Sequence, residues 1–137
     1  MRRESREKVF QTLFMMDALG VGPDEAIPLF ALTSPPPSDA GYYNATVRGV
    51  WDRREEIDVL IRRAADNWRL ERMTLVDRNI IRLGTYEICH SGDIPFVVAI
   101  NEAVDLGKRF GSEESGSFIN GILDRISVIS MKKKGNT

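Results

Sequence analysis

Reactive side chains are scarce in this chain of 137 residues, which has one cysteine, Cys89, and one histidine, His90. A lone cysteine cannot close an intramolecular disulfide, and one cysteine with one histidine leaves no metal-ligand cluster, which suits a reducing cytosol. The two are neighbours, and neighbours on a helix point about 100° apart, so they do not form a nucleophile and base dyad with each other. The acidic residues show no paired-carboxylate spacing, and there is no GxGxxG, P-loop or HExxH signature. No catalytic residue, cofactor or metal site is expected, and the chain does not read as an enzyme.

Long apolar runs are missing too. Nothing approaches the roughly 20 residues that cross a bilayer, and the charged start has no apolar signal core behind it. That argues for a cytoplasmic protein with no membrane partner. An excess of one charge is also lacking, with 19 Lys and Arg against 20 Asp and Glu. This balance excludes coating nucleic acid by charge alone, so any such binding is local or shared. Neither internal repeats nor a persistent alternating pattern is present, which leaves an all-α fold. The length fits a single domain over 1–137 that is stable without disulfide or metal.

Helical spacing is what the chain does have. Over 3–19, Val9, Phe10, Leu13, Phe14 and Met16 keep the period, and Arg2 and Arg6 project onto the same arc. The inward face thus turns basic toward the N-terminus and is expected to emerge from the bundle there. A short helix over 24–31 precedes a stiff, proline-rich connector at 33–38. One long helix is expected over 39–65, with Tyr43, Val47, Val50, Trp51, Ile57, Leu60 and Ile61 inward and 53–56 as a solvated, self-paired face. Trp68, in the connector 67–72, is expected to plug the core. Thr74 caps the next helix, with Asp77 three residues on, and Val76, Ile80, Ile81, Gly84 and Ile88 mark its buried face.

The organising stretch is 94–124, two amphipathic helices joined by a corner at Phe110-Gly111. Val97, Ile100, Val104 and Gly107 form one apolar series, and Phe118, Ile119, Ile122 and Leu123 the next. Pro95 fits a helix start, Gly111 a left-handed helix end and Ser112 an N-cap. Asn120-Gly121 in mid-helix costs about 1 kcal/mol for the glycine relative to Ala, which predicts close packing there. From Met131 on, the tail is expected to be flexible.

Charge is uneven. Arg2, Arg3, Arg6 and Lys8 crowd the start, Lys132, Lys133 and Lys134 the end, and arginine outnumbers lysine 14 to 5. Arginine favours planar recognition of phosphate or carboxylate, and the basic start is a candidate RNA contact. On the pattern alone, a solvated, frayed start accounts for these charges as well. Phe14 and Phe118 would add stacking surfaces for unpaired bases if they surface near the arginines, although core packing is the commoner role of either one.

The segments IPFVVAINEAVDLGKRFG and SFINGILD resemble the C-terminal signature of the NusB family, and RRESREKVFQTLFMMD and VDRNIIRLGTYEI resemble its first helix and its middle. The resemblance spans nearly the whole chain and is weakest over 20–67. It implies two packed three-helix subbundles and a bacterial factor in transcription antitermination. Such a factor binds boxA-type single-stranded RNA with the small-subunit ribosomal protein NusE and helps RNA polymerase read through terminators, notably in ribosomal RNA operons. Carried over by position, the RNA-side residues are Arg2, Arg3, Arg6, Phe14, Glu114 and Phe118. The partner side is the helix with Asp77, Arg82 and Glu87.

Two departures stand out: Ser115-Gly116-Ser117-Phe118 where the family commonly has Ser-His-Lys-Phe, and Phe14 where tyrosine is common. Both imply weaker RNA binding by this chain alone and more reliance on the partner or on the first-helix arginines. Three alternatives stay open: a NusB-like domain of the kind found in RNA cytosine methyltransferases, a helical adaptor that binds only protein, and a homodimer that buries the first helix.

Overall fold

The computed structural model describes residues 2–66 and 68–135, with side chains described through residue 133. Seven α-helices account for nearly all of it: α1 (Arg2–Leu19), α2 (Pro23–Ala31), α3 (Ala40–Asp52), α4 (Arg54–Ala64), α5 (Leu75–His90), α6 (Phe96–Phe110) and α7 (Ser115–Gly135), with a 3-10 turn at Leu70–Arg72. No strand occurs among the described residues, and no helix of them is long and apolar enough to cross a membrane.

Helix α5 is the axis of the molecule. It touches α1 and α3 on one side and α4, α6 and α7 on the other, so α1–α3 form one bundle and α5–α7, flanked by α4, form the second. Its inward set, Ile80, Ile81, Leu83 and Ile88, is buried against Val9, Phe10 and Leu13 of α1 and against Ile119, Leu123 and Ile126 of α7. Glycines set the helix spacing in the second bundle. A Cβ on Gly84 would meet Leu123 Cδ1 at 2.6 Å, and one on Gly107 would meet Ile119 Cδ1 at 2.6 Å. At Gly121 there is open space, so the close packing predicted there falls at Gly84 and Gly107 instead.

The cap predicted for α5 is present, with Thr74 Oγ1 accepting from the Asp77 N–H at 3.1 Å. Other local expectations are corrected. The run over 39–65 breaks into α3 and α4 at Arg53, where φ is −108° and ψ 16°. Arg54 serves this break by donating to the Trp51 carbonyl at 2.7 Å and stacking 3.9 Å over the Trp51 ring. Gly111 is extended, not left-handed, and Ser112 donates its backbone N–H to Ser115 Oγ at 2.9 Å, so α7 starts later than a cap at Ser112 implied. Val97 is exposed, on the outer side of α6.

The helix α7 continues through Met131 to Gly135, where a flexible tail was expected. Lys132 and Lys133 lie in its last turns, where a helix dipole favours cations. Residues 136–137 of that predicted tail, and Asn67 of the predicted connector, lie outside the described residues.

Candidate nucleic-acid interface

Three arginines open α1, and the fold separates them. Helix α1 runs antiparallel to α5, so its first turns meet the last turns of α5. There Arg6 turns inward and is only 4% exposed. Its Nε donates to Glu87 Oε1 at 2.8 Å and its Nη2 to Glu87 Oε2 at 3.1 Å, while the Tyr42 hydroxyl donates to Glu87 Oε2 at 3.0 Å. Burial disfavours the charged guanidinium, but the Glu87 carboxylate outweighs it and holds the Arg6 pKa above its ordinary value. Burial, and then the same carboxylate, push the Tyr42 phenol far up, so it stays a neutral donor. The basic stripe is therefore buried in an ion pair at Arg6, which presents no charge to a ligand, and emerges from the bundle at Arg2.

Arg2 and Arg3 do reach the surface. Arg2 donates to Asp93 at 3.2 Å, lies 3.7 Å from Asp39 and sits 4.8 Å from the centre of the Tyr42 ring. Arg3 pairs with Asp105 and lies 3.5 Å from Glu102. Its pKa is raised by the hydrogen bond to Asp105 and by the charges of Asp105 and Glu102. Both are solvent-exposed pairs, weak and screened, which a phosphate can replace at modest cost.

The aromatic groups lie toward the other end of the body. Phe14 is half-buried on α1, edge-on to Phe10 at 6.3 Å, and Phe10 packs on Phe110 at 5.3 Å. Phe118 is half-buried in the first turns of α7, and its neighbour is Trp68 at 5.4 Å, with the rings inclined at 72°. Trp68 is 60% exposed, which corrects the expectation that it plugs the core. Leu70 of the same connector and Met73 just after it are buried instead. Glu114 is exposed just ahead of α7. Phe118 belongs to the level of Asp77, which accepts from Ser115 Oγ at 2.7 Å, and Arg6 to the level of Glu87, with Arg2 and Arg3 farther still from Phe118 along α1. Ten helical residues separate those levels, about 15 Å. A strand touching both must run along the body. Gly116 is where the Lys108 stem crosses, since a Cβ there would stand 3.3 Å from Lys108 Cγ. A larger residue at this position would have to displace that stem.

The three α5 residues taken as a partner surface do not share a face. Glu87 is 1% exposed and committed to Arg6, so it is not a surface contact. Arg82 forks onto Asp58, at 2.8 and 3.0 Å, and reaches Asp17 at 3.1 Å. Asp17 also accepts from Arg78 and from Asn79, each at 2.9 Å. Desolvation pushes the Asp17 carboxyl up, but these donors hold it below its ordinary value. Arg82 is partly exposed in a cleft of about 270 Å³ between α1, α3 and α5, which Asp17, Asn79, Trp51 and Arg54 also line. Tyr42, Asp17, Asp58 and Trp68 are the residues here that the sequence reading gave no part in a site.

The sequence profile of the NusB family matches residues 3–128. The transcription antitermination protein NusB of Desulfatibacillum aliphaticivorans is 48% identical over 128 residues, which cover 93% of this chain and 90% of that protein. NusB of Myxococcus xanthus is 42% identical over 132 residues, covering 93% and 94%. Among solved structures, NusB of T. maritima is similar with a TM-score of 0.85 at 37% identity, covering 100% of this chain and 98% of the other. A structure of the antitermination factors NusB and NusE in complex with double-stranded RNA contains a chain similar at TM-score 0.84 and 28% identity, covering 93% and 96%.

Proposed function

This chain belongs to the NusB family, and on that premise we propose that it is a non-enzymatic transcription antitermination factor of the bacterial cytoplasm. It binds boxA-type single-stranded RNA together with the small-subunit ribosomal protein NusE, and the pair joins the RNA polymerase antitermination complex that reads through terminators. The observation that carries the reading is the family match over 3–128, joined to a similar chain in a solved complex of NusB and NusE with double-stranded RNA. The relatives named above are antitermination proteins, which favours this reading over a methyltransferase-associated domain.

The mechanism follows from weak, divided contacts. Arg2 and Arg3 exchange their exposed carboxylate partners for phosphates, while Phe14 and Phe118 offer ring faces to unpaired bases and Glu114 borders the stacking site. Arg6 positions the first turn of α1 from inside. The partner docks against the face where α5 presents Arg82, partly exposed in the cleft it shares with α1 and α3. Each protein alone supplies part of a basic and aromatic surface, so tight binding requires both.

The test is a titration of labelled boxA-type RNA with this protein, with NusE and with their mixture. The mixture should bind far more tightly than either component. Equal binding by the mixture and its better component would overturn shared recognition.

A further inference from the structure

We propose that the outer face of Trp68, braced edge-on by Phe118, is a stacking platform for an unpaired base of the bound RNA, with Arg69 and Arg72 holding the flanking phosphates. The proposal rests on the RNA-binding reading above and adds to it a site that neither the sequence motifs nor the family resemblance pointed to.

A tryptophan this exposed is unusual in a connector that otherwise buries its apolar residues, Leu70 and Met73. The backbone holds it in place, because the Trp68 N–H donates to the Ala65 carbonyl at 2.7 Å. Phe118 occupies one side at 5.4 Å and fixes the ring's tilt. The side left open is a flat apolar plane, which every base can use because every base has a π-face.

Charge points to the same occupant. Arg69 and Arg72 bracket the turn that follows Trp68, with the Arg72 N–H donating to the Arg69 carbonyl at 3.0 Å, and both are exposed. Neither makes an ion pair among the described residues, whereas Arg2, Arg3 and nearby Arg62 each face a carboxylate. A phosphate reaching Arg69 or Arg72 has no carboxylate to displace. The strand thus has anchors at both ends of α5, exchangeable guanidiniums at one and an aromatic plane with unpaired guanidiniums at the other.

The experiment uses the complex of this chain with NusE and a labelled boxA-type single strand, with a duplex of the same sequence as control. The chain has two tryptophans, so a Trp51→Phe background leaves Trp68 as the only fluorescent reporter. The single strand should quench it. Trp68→Ala should weaken single-strand binding on the order of 5- to 100-fold, the loss of one base stack, and Trp68→Phe should restore most of it. Duplex binding should not change. Removing both Arg69 and Arg72 as Gln should flatten the salt dependence by about 0.7 per lost phosphate contact.

Trp68→Leu keeps apolar bulk without the plane, so weakening by Leu as well as Ala separates stacking from folding. Unchanged single-strand affinity in Trp68→Ala, with the wild type binding normally, overturns this proposal alone. Loss of NusE capture in the absence of RNA would make the site a protein contact and overturn it too. Failure of the wild-type complex to bind the strand would overturn both this and the reading beneath it.

Discussion

Replacing Arg6 with Met tests whether the third arginine of α1 serves the fold or the ligand. In the wild type, Glu87 accepts two bonds from Arg6 and one from Tyr42 at a site with almost no solvent. Arg6→Met keeps the bulk but leaves a buried carboxylate with a single neutral donor. Breaking a buried pair from one side typically costs about 3–5 kcal/mol. For a domain of this size that corresponds to a fall in Tm of roughly 10–17 °C. Pairing Arg6→Met with Glu87→Leu removes the stranded charge and should recover about half of the loss. What stays is about 1–3 kcal/mol for the Tyr42 hydroxyl, which Tyr42→Phe would relieve.

Urea denaturation followed by circular dichroism reads both the loss and its recovery. A loss below about 1 kcal/mol, with no recovery in the double variant, would refute the buried-pair account. It would return Arg6 to the set of direct RNA contacts.

Arg3→Ala should leave the melting temperature unchanged while lowering RNA affinity and flattening its salt slope by about 0.7, read in titrations at several salt concentrations. Gly84→Ala, whose Cβ would stand 2.6 Å from the fully buried Leu123, should destabilise by about 1–3 kcal/mol in thermal melts. Gly121→Ala, in open space on α7, should stabilise by up to about 1 kcal/mol in the same assay. Hydrogen bonds from the Ser38 hydroxyl and backbone, then Lys8, lower the Glu4 carboxyl from 4.5 to about 2. Its contribution is therefore present above pH 4.5 and lost as pH falls toward 2, and Glu4→Gln should make acid unfolding shallower across that window.

The elements legible in the sequence were those whose inward faces carry an uninterrupted period. Helices α1, α5 and α6 lie within a few residues of where the apolar spacing put them, α2 lies between the breakers that flank it, and the α5 cap is in place. The break between α3 and α4 was hidden for a physical reason. From Val50 to Ile57 is seven residues, nearly two turns, so the buried positions on either side of Arg53 remain in phase as if the helix were continuous. Only the different neighbours of the two halves, α1 for α3 and α7 for α4, with α5 common to both, require the change of direction. Trp68 was misplaced because its size suggests burial, and nothing local shows that Leu70 and Met73 fill the core in its stead.

The candidate site was legible in residue type but not in exposure, because exposure is decided by pairs. Arg6 shares an arc with Val9 and Phe10, which could mean a cationic face leaving the core or a charge entering it. The answer lies on α5, where Glu87 sits beside Gly84 and Ile88 on the buried arc and supplies the opposite charge. A buried carboxylate without a partner would be far too costly, so Glu87 on that arc requires a cation from the facing helix. Antiparallel packing of α1 on α5 puts Arg6, not Arg2 or Arg3, at that level. The pair thereby fixes which of three neighbouring arginines is structural and leaves the other two on the surface, where their weak carboxylate partners can be exchanged for phosphate.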